Sequence, residues 1–177
     1  MSLIAKGTSF TPPPEGVWPA VCVDVVDLGT VESPWGAKPK CRIVWEISEK
    51  MKDGRPFVAT KQYTISLHEK ANLHKDLKAW RGKSFTVEEM QGFDVEKVIG
   101  APCQLVITHE EKDGLVYGNV TAILRAQKNG VLAASGKYIR YKDREENKKA
   151  STVADDSDYD NPNYSEHDPI TNDDIPF

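Results

Sequence analysis

Apolar and polar residues alternate along much of the first 127 positions. In KCRIVWEIS (40–48), Lys40, Arg42, Val44 and Glu46 face one way and Cys41, Ile43, Trp45 and Ile47 the other, the period of a half-buried strand. The valine-rich run Val17–Leu28 predicts a long strand before it, and FVATKQYTIS (57–66) predicts a third after the turn Lys52-Asp53-Gly54-Arg55. The period then changes. Ala71, Leu73, Leu77 and Trp80 recur at helical spacing within residues 68–82, and Gly82 supplies a stop. Residues 84–100 predict a further short helix. Alternation returns in 101–111 and 115–126 around Lys112-Asp113-Gly114, a hairpin signal.

A three-strand meander, a helix between strands three and four, and a closing hairpin are the element order of the OB-fold, a five-stranded Greek-key barrel. The expected fold is therefore mostly β: an OB-fold-like barrel over residues 17–127, with other small barrels or a half-open sheet carrying helices as alternatives. Residues 1–16 contain Pro12-Pro13-Pro14 and predict an extended lead-in. Residues 128–149 hold one short alternating piece, Lys137–Tyr141, and predict a basic extension, either an added strand or an arm. Residues 150–177 are too polar and charged to bury a core and predict a disordered acidic tail.

Charge sharpens this division. The formal net charge is −4, but all 23 Lys and Arg residues lie at or before Lys149, while eight of the 27 acids follow it. The first 149 residues therefore carry +4 and the remainder −8. Such asymmetry points to a nucleic-acid binder with an acidic appendage. No apolar run reaches the ~20 residues that span a bilayer, and the N-terminus lacks the pattern of a secretory signal, so no membrane partner and a cytoplasmic location are expected. Cys22, Cys41 and Cys103 are widely spaced within apolar stretches and read as small core residues.

Catalysis finds little support. His68, His74, His109 and His167 are scattered, and no phosphate loop, metalloprotease helix or nucleophile elbow occurs. Asp24, Asp27 and Glu46 lie on neighbouring strands and leave a carboxylate-metal nuclease as an alternative. The expectation is a non-enzyme without cofactor or metal. Binding chemistry is better provided for. Unpaired nucleic acid offers phosphates to cations and base faces to aromatic rings, each stacked base contributing ~1–3 kcal/mol. Lys38, Lys40, Arg42, Lys52, Arg55 and Lys61 fall on or beside the second and third strands, with Trp35 in a Pro/Gly loop and Tyr63 at the same parity as Lys61. Tyr117 after the hairpin turn, and Tyr138 with Arg140 in the basic extension, complete the candidate DNA-binding set.

The last residues, Asp173-Asp174-Ile175-Pro176-Phe177, follow an acidic, Pro- and Asn-containing run. This terminus resembles that of bacterial single-stranded-DNA-binding proteins over about nine residues; the preceding domain is similar in general character to bacteriophage-encoded versions. The resemblance implies a docking peptide for replication, recombination and repair enzymes. Phe177 would enter an apolar pocket with its α-carboxylate on a basic residue, Ile175 and Pro176 would add apolar area, and Asp173 and Asp174 would steer toward a basic rim. Bacterial relatives are oligomers of their domain, but no interface for a homo-oligomer is readable here. The charge split also predicts that the tail competes with DNA for the basic groove at low salt. A rival of another class is a decoy that presents the tip to host replication enzymes without binding DNA.

Overall fold

Each of the five alternating runs within residues 17–127 becomes a strand. The computed structural model describes residues 11–151, with side chains through Lys148. The elements are β1 (Gly16–Val31), β2 (Lys38–Lys50), β3 (Pro56–Thr64), α1 (Asn72–Arg81), α2 (Val87–Gln91), a 3₁₀ turn (Val95–Val98), β4 (Pro102–Lys112) and β5 (Leu115–Arg125). The strands form one antiparallel sheet in the order β3-β2-β1-β4-β5. β1 is long enough to serve two partners: Gly16–Val21 pair with β4, and Ala20–Val31 pair with β2. A register shift between Cys22 and Asp24 marks the bend between the two. The edges β3 and β5 approach one another but share no ladder among the described residues, so the sheet is not closed.

Alternation along β2 decides where the core lies. Cys41, Ile43, Trp45 and Ile47 all join the main cluster, and Trp45 is 0% exposed. Its ring packs 5.9 Å from that of Trp80, which α1 supplies together with Leu73 and Leu77. α1 thus covers the core with its apolar stripe and contacts both edge strands. Trp80 Nε1 donates to the Pro102 carbonyl at 2.9 Å, whereas Trp45 Nε1 finds no acceptor among the described residues. Cys22, Cys41 and Cys103 are buried free thiols. Burial, then the Asp27 carboxylate, pushes the Cys41 thiol up to about 11, so it behaves as a neutral core side chain.

The proline lead-in is held down over residues 13–15. His109 Nε2 lies 2.8 Å from the Pro13 carbonyl, the His109 amide donates to Glu15 Oε1, and Trp18 Nε1 donates to the Pro14 carbonyl at 2.9 Å. Gly118 on β5 makes room for this segment. A Cβ there would sit 2.7 Å from Pro13 Cγ, closer than packed carbons approach.

α2 is too short to persist alone and is tied down electrostatically. Thr86 and Glu89 form a capping box. Arg81, at the end of α1, reaches both Glu89 oxygens (Nη2–Oε1 2.7 Å, Nη1–Oε2 3.2 Å). Its guanidinium also lies over the Phe85 and Phe93 rings, at 4.7 and 5.6 Å. One arginine therefore joins α1, α2 and two aromatic rings.

Residues from Ile139 onward form a second unit. The alternating piece Lys137–Tyr141 forms no strand; instead Tyr141–Ser151 are helix α3. Within it, Tyr141 Oη donates to Glu145 at 3.0 Å, and Arg144 Nε donates to the Ile139 carbonyl at 2.9 Å.

The Arg81 clamp has a pH signature. Hydrogen bonds from Arg81 and from the Thr86 amide hold the Glu89 carboxyl at about 2, below its ordinary 4.5. A carboxyl depressed in the folded state contributes stability above its unfolded value and loses that contribution as pH falls through the folded one. Carboxyl ¹³C titration is expected to place the Glu89 midpoint near 2, and Arg81→Met is expected to move it toward 4.5; an unmoved midpoint contradicts the clamp.

Candidate nucleic-acid interface

The β1–β2 connection presents the most exposed aromatic residue among the described ones. Trp35 is 84% exposed, yet its turn is ordered by a tight set of bonds. Ser33 and Gly36 exchange backbone hydrogen bonds at 2.9 and 3.2 Å, Ser33 Oγ donates to the Gly36 carbonyl at 2.6 Å, and the Trp35 amide donates to Ser33 Oγ at 3.3 Å. Gly36 has φ 102°, a conformation that other residues rarely adopt. A large ring is thus held in water on a stiff turn, although burying it would contribute ~1.5–3 kcal/mol.

Lys38, Lys40 and Arg42 follow at alternate positions of β2 and share the face opposite Trp45. Successive members of the row lie ~7 Å apart by the rise of a strand, close to the spacing of a nucleic-acid backbone. Lys38 is exposed, while Lys40 and Arg42 are half-buried. Arg42 Nε is buried without a hydrogen-bond partner among the described residues. A buried donor left unsatisfied there is costly. On β3, Thr60, Gln62 and Thr64 pair with Val44, Arg42 and Lys40 and extend the face with neutral polar groups.

Several other expected site residues stand elsewhere. Lys52 and Arg55 lie in the β2–β3 turn, at the far end of β2 from Trp35, and Arg55 is held by Asp53 at 2.6 Å. Lys61 and Tyr63 are corrected outright as a charge beside an accessible ring. They have the parity of Ala59 and point toward α1, where Lys61 Nζ and Tyr63 Oη both reach Asp76 Oδ2, at 2.8 and 2.7 Å. Tyr63 is 3% exposed, so neither of its faces can receive a base. Burial first, and Asp76 second, push its phenol far up, so it remains a neutral donor. Tyr117 is half-buried on β5 just beyond the hairpin. Arg140 belongs to the second unit. The docking residues Asp173, Asp174, Ile175, Pro176 and Phe177, and the acidic tail that carries them, lie outside the described residues.

Tyr138 is half-buried, and its place reveals what the sequence reading missed. Val21, Val23, Val26 and Val44 form a second apolar cluster on the outer face of the sheet, against which Leu132 and Tyr138 pack. Two acids lie buried beside them, Asp24 at 1% and Glu46 at 3% exposure. Each is met by a donor from the segment that follows β5. Tyr138 Oη donates to Asp24 Oδ2 at 3.3 Å, and Ser135 gives its amide and hydroxyl to the two Glu46 oxygens at 2.9 and 2.8 Å. Residues 132–138 are therefore a strap across this part of the outer face, which includes Val26, the ladder partner of Arg42. The signal was an acid inside each of two strongly alternating strands, which demands a buried donor. The same contacts occupy Asp24 and Glu46, two of the three carboxylates of the nuclease alternative, and no cluster of three metal-ligating side chains occurs among the described residues.

Removing the strap's acceptor tests its attachment. Glu46→Ala is expected to lower stability by about 1–3 kcal/mol and to speed amide hydrogen exchange across residues 132–138. Unchanged exchange there contradicts the strap.

No family model matches this chain, and no curated protein matches it in sequence.

Proposed function

We propose that this protein binds single-stranded DNA with little sequence preference and acts in DNA replication, recombination or repair, recruiting partner enzymes through its C-terminal tip. The observation that carries the reading is the exposed Trp35 on its braced turn, directly before the same-face row Lys38, Lys40 and Arg42. Bases stack on the indole while phosphates run along the row. The neutral groups Thr60, Gln62 and Thr64 add hydrogen bonds that do not select a base.

The fold reading is an OB-fold barrel in which β3 and β5 come together. It is supported by the strand order, by the helix between β3 and β4, by the double service of the bent β1 and by the approach of the edge strands. The ligand face of such barrels is centred on strands two and three, where the row lies. The DDIPF residues support docking to replication, recombination and repair enzymes, and the general character of the preceding domain supports a phage-encoded origin within a bacterial cytoplasm. The protein does no chemistry in this reading.

Titration of the full chain with oligo-dT, followed by tryptophan fluorescence and gel shift, tests it. Three phosphate contacts give a log–log salt slope of about −2, so affinity falls roughly 16-fold between 50 and 200 mM salt. Trp35→Ala is expected to weaken binding by ~1–3 kcal/mol, about 5- to 150-fold, and to remove most of the quenching. Absence of both quenching and gel shift in low salt overturns the proposal and leaves the decoy reading.

A further inference from the structure

The strap changes what the outer face offers to a polyanion. Along β2 the row Lys38, Lys40 and Arg42 is followed on the same face by Val44 and then by Glu46. Asp24, the ladder partner of Val44, adds a second acid. Left open, this face would present two carboxylates within ~7–14 Å of the last cation, by the rise of a strand. Phosphates leaving the row would meet like charge there. The face is not left open. Asp24 and Glu46 are buried beneath a segment whose Ala133, Ala134, Ser135, Gly136 and Lys137 are all exposed. From Ala126 to Tyr138 the chain holds two lysines and no acid.

One of those lysines is held in a defined place. Ser135 Oγ donates to Glu46 Oε1 at 2.8 Å and accepts from the Lys137 amide at 3.1 Å. Gly136 between them has φ 75°, so the chain turns sharply at that point. Tyr138, the next residue, is bonded to Asp24. Lys137 therefore stands between the strap's two anchors, exposed and in no ion pair among the described residues. We propose that Lys137 is a further phosphate-binding residue, so that the track of Trp35, Lys38, Lys40 and Arg42 continues over the strap. Glu46 and Ser135 are positioning residues in this scheme. The buried acid orders the turn that carries the cation, and a strand leaving Arg42 meets an ammonium group in place of a carboxylate. The inference rests on the single-stranded-DNA reading and extends it to a segment outside the sheet.

Lysine acetylation of the full chain with and without oligo-dT, read residue by residue by mass spectrometry, separates the two. Oligo-dT is expected to protect Lys38, Lys40 and Lys137 together. Lys97 is the control. It lies off this face, at the lip of a mostly apolar cavity of about 360 Å³ lined by Leu77, Trp80, Phe93 and Val98, and is expected to stay reactive. Lys137→Gln, a change at an exposed side chain, is expected to make the log–log salt slope shallower by ~0.7, the share of one phosphate contact on a single strand, with tryptophan quenching at saturation unchanged. Ser135→Ala keeps the lysine charge but cuts its link to Glu46, and is expected to lower the protection of Lys137 and leave that of Lys38 and Lys40. Protection of Lys38 and Lys40 with Lys137 as reactive as Lys97 overturns the extension and leaves the DNA reading standing. Full protection of Lys137 in Ser135→Ala overturns the positioning role. A chain that binds no oligo-dT overturns both readings.

Discussion

The register of β2 is the constraint on which the rest depends. Trp45 is wholly enclosed against Trp80, with Cys41, Ile43 and Ile47 on the same side. Slipping the strand by one residue would turn Lys40, Arg42 and Glu46 into the core and Trp45 out of it. The cost of burying two cations and an acid without partners is far above the few kcal/mol that a domain has in reserve. The same packing that hides Trp45 therefore fixes Lys38, Lys40 and Arg42 as a row on the outer face. Core and candidate ligand face are two sides of one strand.

That outer face is not uniformly open. Its valine-rich portion is covered by the strap, which answers the two buried acids with Tyr138 and Ser135. At the other end of the β1–β2 ladder Lys38 is exposed, and Trp35 stands on the turn before it. The strap covers apolar surface that would otherwise invite self-association. Across the molecule, α1 and the Arg81 clamp build a pocket of the opposite character, apolar within and cationic only at its lip.

The strands were legible because their period is local. Ten consecutive residues suffice to show that Lys40 and Cys41 face opposite ways, and the Ser-Pro-Trp-Gly turn announces itself through its own residues. What failed was long-range. Lys61 and Tyr63 look like an exposed pair because a lysine interrupts the apolar parity of β3, and only Asp76, on the next helix, reveals that both point inward. Tyr138 has its partner Asp24 at the other end of the domain, so a short basic-aromatic piece gave no hint of a strap. The pocket draws on four separate elements and leaves no contiguous pattern at all. Mostly β character and strand order could be read from spacing, whereas accessibility could not, because it depends on what the remainder of the chain lays over each face.

The central claim is that the outer face of β2 at the Trp35 end is where unpaired DNA lies. Photo-crosslinking of the full chain to oligonucleotides carrying 5-iodo-deoxyuridine, with the attachment sites located by mass spectrometry, tests this most directly. The account predicts crosslinks concentrated on Trp35, and none on Tyr63, whose ring is buried. Efficient crosslinking that spares Trp35 and maps to another face of the domain would contradict it.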